Sequence, residues 1–104
     1  MSVLIEFSMF PIGQAETLSA EISEIIAMIR DSGYAYKLTA MGTIIETENI
    51  REALELVEKS YEILAALDCR RVYASIKMDI RSGQTSRMSR KIHSVEGRIG
   101  KVDN

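Results

Sequence analysis

From Leu38 to Glu46 the chain reads Leu-Thr-Ala-Met-Gly-Thr-Ile-Ile-Glu. The hydroxyls of Thr39 and Thr43 and the carboxylate of Glu46 recur there at a period near two. In a strand this period sends alternate side chains to opposite faces, so polar groups of one parity form a row that can hold a polar partner. Glu6 and Ser8 near the N-terminus and Ser75 near residue 75 have the same kind of spacing within apolar alternation. Glu6 and Glu46 are a pair of carboxylates of the kind that general acid/base work can use. That chemistry also needs one of them to titrate away from its usual range.

No catalytic set accompanies them. Cys69 is the only cysteine, which excludes an intrachain disulfide and a cysteine-based metal site. It falls where a helix should end, with only His93 available as a base, so it reads as a connection residue. His93 sits among the apolar positions of a helical pattern and has no second histidine to share a metal. Gly13 and Gly42 are isolated, which rules out a glycine-rich phosphate loop.

A chain of 104 residues with 46% hydrophobic and 27% charged residues suits one folded domain, expected over 1–104. No apolar run reaches the roughly 20 residues that span a bilayer, and no signal peptide is evident, so a cytoplasmic location is expected, with no membrane partner. A net charge of -2 and few aromatics argue against a nucleic-acid partner. The charge is uneven, because Arg81, Arg87, Arg90, Lys91, Arg98 and Lys101 face only Glu96 within residues 81–101. A solvated basic helix face is the common reason for such a run.

These groups must be positioned by elements whose periods are legible. Residues 2–10 alternate, with Val3, Ile5, Phe7 and Met9 against Leu4, Glu6, Ser8 and Phe10, and Pro11-Ile12-Gly13 ends the strand. From Thr17, a candidate N-cap, the residues Leu18, Ile22, Ile25, Ile26 and Ile29 give a helical stripe that stops at Gly33. Tyr34 to Ala40 and Thr43 to Glu48 form a hairpin about Gly42. Asn49 with Glu52 resembles a capping box for a second helix, whose expected buried stripe is Ile50, Leu54, Val57, Tyr61 and Leu64. Arg71 to Asp79 is the last strand. A helix over about 87–101 follows, weakened by Gly97 and Gly100.

The order βαββαβ predicts an α+β fold, a ferredoxin-like two-layer sandwich with an extra C-terminal helix. Right-handed crossovers give an antiparallel sheet in the order 4-1-3-2, with both crossover helices on one face. The other face is expected to be uncovered and to display Leu4, Glu6, Ser8, Lys37, Thr39, Met41, Ile44, Glu46, Tyr73, Ser75, Lys77 and Asp79. Such a mixture suits a ligand cleft, a partly polar subunit interface, or a plain wet face. Alternation from Glu46 sends Thr43 to the helix side, and only a bulge at Gly42 would return it to the open face.

Three segments, Ser8–Gly13, Leu38–Glu46 and Ser75–Arg81, closely resemble the small thiamine-binding protein family related to YkoF, in the same order and over essentially the whole chain. The resemblance implies a ferredoxin-like protein that assembles with itself, as a homodimer or homotetramer through the sheet. It further implies non-catalytic binding of thiamine or its hydroxymethylpyrimidine portion, as a carrier or sensor, with no cofactor and no enzyme activity. Carried over residue by residue, the ligand contacts are Thr39, Met41, Thr43 and Glu46, then Ser8, with Glu6 and Ser75 completing the set. Glu46 and Glu6 would accept from the amino group or balance the thiazolium charge, the hydroxyls would add hydrogen bonds, and Met41 and Tyr73 would pack on a ring. Two other readings stay open: an oligomeric enzyme acting on a pyrimidine heterocycle with Glu46 as acid or base, and a structural or regulatory interaction protein using the basic tail.

Overall fold

The computed structural model describes residues 1–13 and 19–104. Strand β1 (Ser2–Pro11) runs through the middle of a four-stranded sheet. It is flanked by β3 (Gly42–Thr47) on one side and by β4 (Val72–Arg81) on the other, with β2 (Ala35–Thr39) outside β3. All neighbours are antiparallel, and the order β2-β3-β1-β4 is the predicted one. Helices α1 (Ser19–Asp31) and α2 (Ile50–Ala66) cover one face. Predicted boundaries hold to within a few residues, although the N-cap expected at Thr17 and the stripe residue Leu18 lie outside the described residues.

Register decides which side chains share a face. Val3 pairs with Thr47, Ile5 with Ile45 and Phe7 with Thr43, while on the other flank Ile5 pairs with Met78 and Phe7 with Ile76. The helix-side row therefore holds Val3, Ile5, Phe7, Met9 and Ile45, all buried against Ile25 and Ile29 of α1 and Leu56 and Leu64 of α2. Removing each large side chain of this kind from water stabilises the fold by about 1.5–3 kcal/mol.

The α2 stripe differs from the one expected. The buried positions are Ala53, Leu56, Ser60 and Leu64, whereas Ile50, Leu54 and Tyr61 are exposed. The sequence stripe and the real one lie side by side on a wide apolar face. Ser60 was passed over as polar, yet it packs there because its hydroxyl donates to the Leu56 carbonyl at 2.7 Å and so leaves no unsatisfied donor. Cys69 is a buried connection residue, and its N–H donates to the Leu64 carbonyl.

The α2 start matches the capping pattern with one shift. Asn49 Oδ1 accepts from the Glu52 N–H at 2.9 Å, while Glu52 Oε1 accepts from the N–H of Glu48, one residue before the cap. Both orphan donors are satisfied locally.

The last helix corrects a larger expectation. Helix α3 (Arg87–Ile99), stopped by Gly100 at φ +87°, does not leave the second sheet face uncovered. Its first turns cross that face over β1, where Arg87 is 9% exposed, while Val95 and Ile99 farther along remain exposed. Asn49→Ala should lower the unfolding free energy by about 1 kcal/mol. Thermal denaturation followed by circular dichroism should then show a fall of roughly 4–8 °C in midpoint.

Candidate functional site

Thr39 and Gly42 pair across the β2–β3 tip with only Ala40 and Met41 between them, so this hairpin has a two-residue turn and no bulge. Gly42 is needed for space: a Cβ there would lie 3.2 Å from the Phe7 carbonyl oxygen. The bulge that would have carried Thr43 to the open face is absent. Thr43 is 5% exposed and on the helix side, in register with Phe7 and Leu38.

Thr43 nevertheless meets other residues of the candidate set. A cavity of about 360 Å³ opens between the hairpin tip, the end of β1 and the first turns of α1. Ser8, Thr39, Met41 and Thr43 all line it, together with Phe7, Met9, Phe10, Ile22, Ile25, Ile26, Leu38, Ala40 and Gly42. A largely apolar wall with a few hydroxyls is the usual make-up of a small-molecule site. Among the described residues, no titratable side chain lines it. The Thr39 hydroxyl is committed to the hairpin: it donates to the Gly42 carbonyl at 2.7 Å and accepts from the N–H groups of Met41 and Gly42 at 3.2 Å. Met41 is 91% exposed at the mouth.

Glu6, Ser75, Glu46 and the ring-packing Tyr73 lie elsewhere. Glu6 is on the open face, 3.6 Å from Lys77 Nζ, and both are exposed. Ser75 is opposite Ser8 on β4 and exposed. Tyr73 stacks obliquely on Phe10, with ring centroids 5.6 Å apart.

Glu46 stands at the far end of the sheet, beneath α3. Its Oε2 accepts from Ser2 Oγ at 2.6 Å and from the Arg87 N–H at 2.9 Å, and Oε1 accepts from the Met88 N–H at 3.2 Å. The carboxylate thus performs the N-cap role for α3 that Ser86, in the left-handed region at φ +55° and without a side-chain cap bond, does not. The Arg87 guanidinium completes the cluster, donating to Ser2 Oγ at 3.0 Å, to the Ser2 carbonyl at 2.9 Å and to the Asp79 carbonyl, with the Asp79 carboxylate 3.1 Å away. Burial pushes the Glu46 pKa up, but the bonds from Ser2, Arg87 and Met88 and the nearby guanidinium outweigh it and hold the carboxyl below its usual value.

Ser2 and Arg87 escaped the sequence reading. Nothing local marks either one, since the bonds that define them span 44, 41 and 85 residues. Arg87 looked like part of a solvated basic tail.

A carboxylate with a lowered folded pKa contributes stability that is present above its unfolded value, near 4.5, and lost as pH falls through the folded value. Glu46→Gln should therefore cost about 1–2 kcal/mol at neutral pH. In urea titrations across pH, the gap between wild type and variant should narrow steadily below pH about 4.5.

A family model described as thiamine-binding protein matches residues 5–96. The chain is similar to a UPF0045 protein of Mycobacterium bovis, 40% identical over 96 residues that cover 92% of this chain and 93% of the relative. It is also similar to a UPF0045 protein of Methanothermobacter thermautotrophicus, 27% identical over 95 residues covering 90% and 96%. Among solved structures, a protein of Methanocaldococcus jannascii superposes with a TM-score of 0.76 at 25% identity, covering 90% of this chain and 95% of its own. A candidate thiamine biosynthesis/salvage protein of Thermotoga maritima gives the same TM-score at 19% identity, covering 91% and 99%, a likeness of fold alone. With the match spanning nearly the whole chain, this protein belongs to the thiamine-binding protein family.

Proposed function

We propose that this protein binds thiamine or its hydroxymethylpyrimidine portion without chemical conversion, as a carrier or sensor. The observation that carries the reading is the hairpin-tip cavity, where Ser8, Thr39, Met41 and Thr43 converge from two strands and a turn. A flat aminopyrimidine matches it in kind: aromatic and aliphatic walls take the ring faces, and hydroxyls and backbone groups take the ring edge. Ser8 and Thr43 bring two hydroxyl-bearing side chains to the lining, where each can donate to or accept from a ligand. The cationic thiazolium belongs at the mouth, where Met41 is exposed and soft sulfur contacts are available.

Self-association is the second part of the proposal. β4 is a ten-residue edge strand, and its helix-side residues Ile76 and Ile80 are nearly half exposed. The uncovered stripe of α2, Ile50, Leu54 and Tyr61, belongs to the same helical layer. An open edge beside exposed apolar side chains invites pairing, and a second copy related by a two-fold axis satisfies both at once.

Calorimetric titration should detect binding of thiamine and of hydroxymethylpyrimidine. Thr43→Val, which keeps the volume and removes the hydroxyl, should weaken both by about tenfold. Absence of heat and of any melting shift at millimolar ligand would sink the binding reading. For the assembly, sedimentation of Leu54→Glu with Ile76→Asp should show a monomer where the wild type shows a larger species. A wild type that already sediments as a monomer would refute it.

A further inference from the structure

The crossing of α3 over the open face borders a second cavity, which among the described residues shares Thr39 alone with the lining of the one at the hairpin tip. It measures about 430 Å³, with Leu4, Ile44 and Lys37 on the sheet side and Met88, Lys91 and Ile92 on the helix side. Lys37, Ile44 and Leu4 belong to the open face by register, and the Glu46 and Arg87 cluster fixes the helix above them.

Two features define what this space can take. Its walls are mainly aliphatic, which suits a compact apolar or aromatic body. Its polar lining is Lys37, Arg87, Lys91, Thr39 and Asn104, so every charged side chain among these is cationic. The Arg87 charge is matched by Asp79, and the Glu46 carboxylate is turned to the α3 N–H groups, but neither Lys37 nor Lys91 has a carboxylate partner among the described residues. Two lysines border this one apolar cavity, and an anion placed there can form charge-assisted bonds with both ammonium groups.

We propose that this cavity is a binding site for a small aromatic phosphate monoester, with the ring between Leu4, Ile44, Met88 and Ile92 and the phosphate held by Lys37 and Lys91. A dianionic group matches two lysines. A cation such as free thiamine is disfavoured here, so the site is independent of the binding proposed at the hairpin tip.

1-Naphthyl phosphate is the probe, titrated calorimetrically into the full chain alongside neutral 1-naphthol and inorganic phosphate. The phosphate ester should bind at least tenfold more tightly than either partial probe. Lys37→Gln and Lys91→Gln should each weaken it roughly three- to tenfold while leaving the melting temperature unchanged. Methyl NMR shifts should concentrate at Ile44 and Ile92, and added thiamine should not displace the probe. Equal affinity for 1-naphthol, wild-type affinity in both lysine variants, no heat at millimolar probe, or shifts confined to Ile22, Ile25 and Ile26 would each overturn the assignment. Failure of thiamine to bind would leave it standing.

Discussion

The carboxylate of Glu46 is the constraint on which the arrangement of the open face depends. A helix that starts on a sheet surface must satisfy its first N–H groups, and α3 starts at a serine whose own side chain makes no capping bond. Glu46 reaches from β3 to supply that cap. Ser2 and Arg87 then hold the carboxylate in place from the two elements on either side. Burying a guanidinium is costly unless its donors are met, and Arg87 meets them on Ser2 and Asp79. The network is closed, so α3 has one seat on the sheet.

That seat divides the molecule into two kinds of surface. On the helix side, the alternating apolar rows of β1 and β3 meet α1 and α2 and exclude water. On the other side, only the end near Ser2 and Glu46 is covered. The Glu6–Lys77 pair and Ser75 remain wet, and Phe10 and Tyr73 stack on each other there. Each cavity lies where one layer ends: one where α1 and the hairpin tip part, the other where α3 rises from the sheet.

Much of the fold was legible because local periods and turn chemistry agree. Alternation located the strands, the glycines at 33 and 42 placed the turns, and Asn49 with Glu52 announced α2. Two readings differ from the structure. Of the expected α2 stripe, Leu64 is buried and Val57 packs against the core, while Ile50, Leu54 and Tyr61 are exposed and Ala53, Leu56 and Ser60 fill the buried positions. Arg87 fits a solvated basic run by sequence because Ser2, which accepts two of its guanidinium bonds, is 85 residues away. Of the candidate site, Ser8, Thr39, Met41 and Thr43 were gathered into one cavity, while Glu46 proved to be spent on a helix.

The sequence by itself determined the element order, the sheet topology and the parity of each strand, because these follow from side-chain period and from the handedness of crossovers. It also settled that Thr43 belongs to the helix side unless the register slipped, and Gly42 turned out to serve the close approach to Phe7 instead of a bulge. Only the tertiary structure decided where α3 lies, which carboxylate is free and which pockets exist. Those depend on contacts between residues far apart in the chain, whose energies no local pattern records.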